Sequence, residues 1–361
     1  MRGVTPPRHV VVCGAGVVGA SVAYFLARRG VAVTVLERTA VACGASGKSG
    51  GFLALDWCDD SELGPLARAS FALHAELARD LKTDYGYRRV DTFMVAAREQ
   101  GTMAGGHRVT PPGWVDGEGV VRAELGSTET TAQLHPEQFT TALIEGARRH
   151  GATLRIGVVE DLVQRDGAAR GVRVDGATLE ADAVVLAMGP WTGRLATPLK
   201  LPRIYGLKGY SVTLEAAGIP AHALFLDYRT ADGRHLEPEV FPRPDGTVYV
   251  CGMRDQQPLP ESAEGVKVSD AACDVLAGAA FRVSTALRGA RIIRRQACYR
   301  PVTDDGLPLI GRVPGVAGAY VATGHGPWGM LNAPATGLAL AELVADGAPA
   351  LLDLRAFDPA R

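Results

Sequence analysis

The stretch from His9 to Glu37 constrains this chain more than any other part of it. His9–Cys13 is an apolar, β-branched run, and Gly14-Ala15-Gly16-Val17-Val18-Gly19 follows at once. Val18, Val22, Phe25 and Leu26 then recur at helical spacing until Gly30 stops the helix. Val31–Leu36 reads as a second buried strand, so the segment predicts a strand–helix–strand unit. In such a unit Gly14 permits the tight turn, Gly16 lets backbone approach a pyrophosphate, and Gly19 lets the helix lie close to the strand. The helix start offers free N–H groups and the positive end of its dipole to phosphate. Glu37 stands 18 residues beyond Gly19, followed by Arg38. There its carboxylate can accept hydrogen bonds from ribose hydroxyls and would repel a 2′-phosphate.

Composition narrows the setting. Lys and Arg total 38 against 39 Asp and Glu, a net charge of −1, which argues against nucleic acid as a partner because such binders carry a basic excess or stripe. No run approaches the ~18 consecutive apolar residues of a membrane-spanning helix, so no span is expected. Met1–Pro7 lacks the charged-then-apolar layout of a secretory signal. The six cysteines, Cys13, Cys43, Cys58, Cys251, Cys273 and Cys298, show neither a CxxC pair nor metal-ligand spacing. The expectation is a cytoplasmic protein with reduced thiols and no metal site. Glycine is the outlier, at 44 of 361 residues against a usual ~7%.

Further along, helices are predicted from about Ser61 to Leu81, over His135–His150 with Pro136 near its start, and over Ala333–Asp346 with Gly347 after it. Short strands with turns are expected over 86–131, and strand alternation over 153–187, ending in the buried run Ala183–Ala187. An antiparallel lobe is expected over 206–297, with strands at Ser211–Leu214, Glu239–Phe241 and Val248–Cys251 and a turn at Pro244-Asp245-Gly246. Gly318–Thr323 reads as a strand that returns the chain to α/β order. A length of 361 residues suits two domains.

The first turn alone fits NAD, FAD or no ligand at all. Three more glycine clusters separate these: 45–52, Ala187-Met188-Gly189-Pro190-Trp191, and 306–311 with 322–330. Each is expected where backbone nears a flat or charged cofactor more closely than a β-carbon allows. Together they resemble the FAD-dependent D-amino-acid oxidase superfamily, particularly its glycine oxidase and sarcosine oxidase branch. The matching stretches are VVVCGAGVVGASVAYFLARRG, ASGKSGGFLA, ADAVVLAMGPWTGRL, YRPVTDDGLPLIG and YVATGHGPWGMLNAPATGLALAELV, in the family's order from residue 10 to about 345.

The resemblance implies an α/β fold in which a Rossmann-like FAD-binding domain (1–86, 136–206 and 296–361) interleaves with a mainly antiparallel β substrate-binding domain (87–135 and 207–295). It implies non-covalent FAD, because no cysteine stands near Pro308, where relatives attach flavin covalently. Gly14, Gly16, Val17, Val18, Gly19, Glu37 and Arg38 belong to the nucleotide end. Ala45, Ser46, Lys48, Ser49, Gly50 and Gly51 match the loop along the flavin, and Val159 pairs its backbone with adenine. Gly189 and Trp191 come from the second cluster. Gly324, His325, Gly326, Gly329 and Met330 match the segment at the flavin's pyrimidine edge. A helix starting at Gly329 would aim N–H groups at the N1–C2=O edge, where negative charge gathers on reduction.

The chemistry implied is oxidation of the C–N bond of an amino acid or N-substituted amino acid. Hydride leaves the α-carbon of the neutral amine for flavin N5, water hydrolyses the imine, and O2 takes the electrons. Such a site must supply orientation, dryness and counter-charge. Arg300, in Tyr299-Arg300-Pro301, matches the family arginine that pairs with the substrate carboxylate. The competing reading is a structural ion pair with Asp304 or Asp305. Phe52, Tyr249, Met253 and Trp328 are candidate pocket walls that core packing would also explain; Tyr228 and His235 are further candidates. His325 is read as positioning the cofactor rather than as a base.

Two departures bear on activity. Some relatives carry a second arginine after the family histidine, where this chain has Pro327 and Trp328. Some carry a lysine that speeds oxygen reduction, in the strand that here reads Val248-Tyr249-Val250-Cys251-Gly252-Met253. The alternatives are therefore an FAD dehydrogenase using another electron acceptor, and a catalytically silent flavin-binding partner protein. An NAD dehydrogenase leaves the 45–52 and 324–330 clusters unexplained.

Overall fold

The computed structural model describes residues 6–361. Its first sheet has six strands in the order Leu309–Arg312, Ala319–Thr323, Ala183–Leu186, His9–Cys13, Ala32–Glu37 and Thr153–Ile156. All neighbours pair in parallel except Leu309–Arg312, which closes one edge antiparallel. Strands buried on both faces read as continuous apolar runs, and each face here has its own core. Val10, Val12, Val33 and Val35 pack with the helices Val17–Arg28, Gly64–Asp80, Pro136–Arg149 and Gly329–Ala345. Val11, Cys13, Leu36 and Val184 pack with a small antiparallel sheet of Val159–Arg165, Ala168–Val174 and Ala177–Glu180.

The second sheet has eight strands and forms the lobe. Its main path runs Ile292–Thr303, Ile204–Glu215, Thr247–Asp255, Glu239–Pro242, His222–Arg229, Asp91–Arg98 and Val120–Gly126. The expected domain boundaries near 206 and 296 fall inside two strands that pair from Ile204 with Thr303 to Leu214 with Ile292. Arg300 therefore belongs to the lobe's sheet. That sheet is not wholly antiparallel, because His222–Arg229 runs parallel to Asp91–Arg98. The two strands come from separate chain segments, so no hairpin fixes their direction. Strand alternation also missed the helix Asp270–Val283. Ser269 caps it by accepting from the Ala272 N–H, and Cys273, Leu276, Ala280 and Val283 cover the sheet's outer face.

The last helix begins at Gly329, as the flavin-edge segment implied, and not at Ala333, and Pro334 lies inside it. Proline there deprives the Met330 carbonyl of its intrahelical N–H. His74 supplies the missing donor: its Nε2 lies 3.1 Å from the Met330 oxygen and 3.1 Å from the Leu331 oxygen. Ser70 Oγ accepts from the Ala335 N–H at 3.1 Å. Burial pushes the His74 pKa down to about 4, so the ring is neutral and its single proton serves this contact. No helix among the described residues is long and apolar enough to cross a membrane.

Candidate active site

One cavity of about 660 Å³ is lined by residues of both sheets. At one end the first strand passes into its helix through Gly14, whose φ is +108° and where a Cβ would fall 2.4 Å from the Ala187 carbonyl oxygen. Gly16 is the helix N-cap, and Ser46 Oγ accepts from the Val17 N–H at 2.9 Å. Glu37 Oε2 accepts from the Ala15 N–H at 2.9 Å and Oε1 from the Thr39 N–H at 3.1 Å, which fixes the carboxylate at the cavity wall. Val18, Arg38 and Val159 line the same end. Gly19 is off the wall, held against the Gly14 carbonyl oxygen, where a Cβ would stand at 2.0 Å.

Ala45, Ser46, Lys48, Ser49, Gly50 and Gly51 line the middle of the cavity. The glycines of this loop do not make room for a ligand. A Cβ at Gly50 would meet the Phe241 ring at 2.4 Å, and one at Gly51 the Leu134 carbonyl oxygen at 2.0 Å. Their role is close approach of the loop to the rest of the protein, which corrects the expectation that they make space for a cofactor. The loop is also tied to the lobe. Tyr249 donates its hydroxyl to the Lys48 carbonyl at 2.6 Å, and Arg243, 4.8 Å over the Tyr249 ring, donates Nη2 to the Ser49 carbonyl at 3.1 Å.

The lobe's sheet is the floor of the other end. Arg300, Cys298, Gly209, Ser211, Tyr249, Cys251, Arg254, Glu239, Phe241 and Phe225 line it, with Phe52, Trp57 and Trp328 alongside. Phe52 stacks on Phe241 at 5.6 Å and meets Phe225 and Trp57 at 5.0 Å each; Trp57 meets Trp328 at 6.3 Å. Arg300 lies across Gly209, where a Cβ would stand 3.3 Å from Nη2. The acids that would make it a structural partner are engaged elsewhere, Asp304 with Arg203 at 3.4 Å and Asp305 with Arg361 at 2.7 Å. Burial works against the Arg300 charge, but Cys251, Glu239, Cys298 and Tyr249 together outweigh it and raise the pKa. Burial also pushes the Glu239 carboxyl up, against the pull of Arg300.

Met253 is not a wall. Thr247–Asp255 carries a bulge at Gly252, with φ +133°, where Ser211 pairs with Cys251 and Tyr210 with Met253. One extra residue reverses the alternation of side chains, so Met253 packs into the outer core and Arg254 lines the cavity instead. Tyr228 is buried in that same outer core, and His235 pairs with Asp227 at 2.9 Å. Sequence reasoning missed Arg254, Glu239, Trp57 and Phe225.

Residues 256–265 cross from the lobe to the nucleotide end. Tyr299 donates its hydroxyl to the Pro258 carbonyl at 2.7 Å, Trp191 Nε1 to the Pro260 carbonyl at 2.9 Å, and Arg194 Nη2 to the Glu261 carbonyl at 2.6 Å. The Thr39 hydroxyl bonds the Glu264 carboxylate. Glu261, Ser262 and Ala263 line the cavity.

A family model described as FAD dependent oxidoreductase (DAO) matches residues 9–343. The chain belongs to this family. It is 33% identical to a Schizosaccharomyces pombe protein named as an oxidoreductase, C1F5.03c, over 98% of each chain. It is 27% identical to the D-amino acid dehydrogenase of Cereibacter sphaeroides, over 94% of this chain and 92% of that one. The crystal structure of glycine oxidase from Geobacillus kaustophilus matches it with a TM-score of 0.80 at 25% identity, covering 99% of each chain.

FAD is the cofactor of this oxidoreductase, and the cavity fits it. Ser49 Oγ and His325 Nδ1 are buried polar atoms with no partner in the protein, on residues that line the cavity; buried polar atoms are ordinarily satisfied. The helices Val17–Arg28 and Gly329–Ala345 both start at the cavity, at Gly16 and Trp328, and neither has a side-chain cap of its own. The first would hold the pyrophosphate and the second the pyrimidine edge of the flavin. His325 Nε2 lies 3.0 Å from Thr336 Oγ1, and burial pushes its pKa down to about 4. A neutral imidazole there would hydrogen-bond the cofactor. Gly189, Trp191, Gly326, Gly329 and Met330 line the cavity; Gly324 does not.

Proposed function

We propose that this flavoprotein oxidises the C–N bond of an amino acid or N-substituted amino acid, holds FAD non-covalently, and passes the electrons to O2. Arg300 carries the reading: a cavity guanidinium beside aromatic walls, whose neighbouring acids Asp304 and Asp305 are paired with other arginines. A carboxylate is the ligand whose geometry suits it. Bound FAD supplies the hydride acceptor. Arg300 would hold the substrate carboxylate and so orient the α-carbon. Phe52, Trp57, Phe225, Phe241 and Trp328 would keep water out, which strengthens that ion pair. The imine leaves to water and is hydrolysed there.

Burial raises the thiol pKa of Cys43, Cys251 and Cys298, the cysteines that line the cavity. Such thiols are poor nucleophiles, which supports non-covalent FAD; the six free cysteines support a reducing, cytoplasmic location. Purified protein should be yellow. Anaerobic titration with D-, L- and N-methyl amino acids should bleach it with at least one class, and a flavin that no amine or amino acid bleaches overturns the proposal. A second reading has the same chemistry with an electron carrier as acceptor, and is favoured by the bulged strand bringing Arg254 rather than a lysine to the cavity. Peroxide formed in step with substrate consumption marks the oxidase; its absence under air marks the dehydrogenase.

A further inference from the structure

We propose that Glu239 is the second half of a substrate clamp: Arg300 holds the carboxylate of an α-amino acid while Glu239 binds its ammonium group and takes its proton. This rests on the amino-acid reading of the site. The carboxylates lining the cavity are Glu37, Glu160, Glu239 and Glu261. Glu37 is committed to backbone N–H groups, Glu160 follows Val159 at the nucleotide end, and Glu261 belongs to the crossing segment. Among the described residues, Glu239 alone of the four stands on the floor sheet. Its strand places it beside Cys251 on one side and Phe225 on the other. Its carboxylate accepts one hydrogen bond, from Cys251 Sγ to Oε2 at 3.4 Å, which leaves Oε1 without a protein partner.

Arg300 and Glu239 line the same cavity from one sheet, with two strands between theirs, and form no ion pair within 4.0 Å. Two opposite charges on one floor, held apart, complement a ligand that carries both signs on neighbouring atoms. An α-amino acid does so, with carboxylate and ammonium on one carbon. Arg300 alone would accept any carboxylic acid. Glu239 penalises those without an amine, because they would leave a carboxylate desolvated and uncompensated.

The clamp also sets the substrate's protonation state. The amine must be neutral before hydride can leave its α-carbon. One ammonium N–H bond breaks, the proton bonds to a Glu239 oxygen, and the lone pair left on nitrogen becomes the second C–N bond as hydride departs to the family's FAD. The groups that act on Glu239 are Cys251 and Arg254 from the adjacent strand Thr247–Asp255, Arg300 from the edge strand Ile292–Thr303 two strands further off, and Glu237 just ahead of its own.

The test is Glu239→Gln in the FAD-loaded enzyme, which keeps the side-chain volume. Benzoate, an amine-free carboxylate, is titrated by its perturbation of the flavin spectrum, and the reducing amino acid is followed by stopped flow. Benzoate should bind the variant as tightly as the native enzyme or more tightly, which also establishes that the variant is folded and loaded. The amino acid's apparent Kd should rise about 10- to 100-fold, the loss of a charge-assisted hydrogen bond. The limiting reduction rate should vary little with pH in the native enzyme near neutrality. In the variant it should climb about tenfold per pH unit below the substrate's ammonium pKa, as the free-amine fraction grows. A native enzyme that no amino acid reduces strikes the proposed function itself. A native enzyme that is reduced, with a variant unchanged in affinity and pH profile, overturns the clamp alone.

Discussion

The two ends of the cavity are built in different ways. The nucleotide end is mostly backbone: a glycine turn, two helix starts without side-chain caps of their own, and a carboxylate pinned by N–H groups, with the turn, first helix and carboxylate drawn from one stretch of about thirty residues. The substrate end is mostly side chain, assembled from strands far apart in sequence. Backbone tolerates little change because its geometry is set by hard contacts, whereas a floor of side chains can be altered one position at a time. The first end should therefore fail as a whole and the second by degrees.

Gly14→Val attacks the rigid end. Its Cβ would overlap the Ala187 carbonyl, which is backbone and cannot swing aside. The flavin-to-protein absorbance ratio should fall to background; near-native flavin content would break the contrast. At the other end, Arg300→Ala should lower kcat/KM by roughly 100- to 1,000-fold while flavin content stays native, and lost flavin would place Arg300 on the wrong side of the comparison.

Next in size is a pH effect on the wall and its brace. His74 and His325 have folded pKa values of about 4, below the ~6.5 of an unfolded histidine. As pH falls from about 6.5 the unfolded chain takes up protons first, so stability declines until pH nears 4. Urea unfolding should show a loss of roughly 2 kcal/mol per histidine between pH 6.5 and 5. His74→Gln keeps a donor for the Met330 carbonyl and should remove about half of that slope, and an unchanged slope would deny His74 its part. Met253→Leu should have the smallest effect, with kcat/KM within about twofold; a tenfold change would return Met253 to the pocket.

What was legible in the sequence follows the same divide. The nucleotide end could be read because its signals are contiguous: a β-branched run, spaced glycines, helical periodicity and a terminal acid. The floor could not, because Trp57, Phe225, Glu239 and Arg254 share no local pattern. Met253 was expected at the wall from the family resemblance, which does not register the bulge that brings Arg254 there instead, although Gly252 inside a strand-like run was the available sign. Glu239 stood at a position alternating with Phe241, so its side of the sheet was readable, but which side held the cavity was not. The last helix was read with two starts, Ala333 from its pattern and Gly329 from the family's flavin-edge segment; the second holds, and His74, some 260 residues earlier in the chain, is what makes Pro334 acceptable inside it.

The crossing segment 256–265 adds a constraint on the order of events. It is delivered by the lobe yet fastened to Thr39, Trp191 and Arg194 around the nucleotide end. With those bonds formed, Glu261, Ser262 and Ala263 close one side of the cavity, and a dinucleotide entering or leaving past them would first have to break the bonds. A strap fastened in this way is expected to slow exchange of the cofactor.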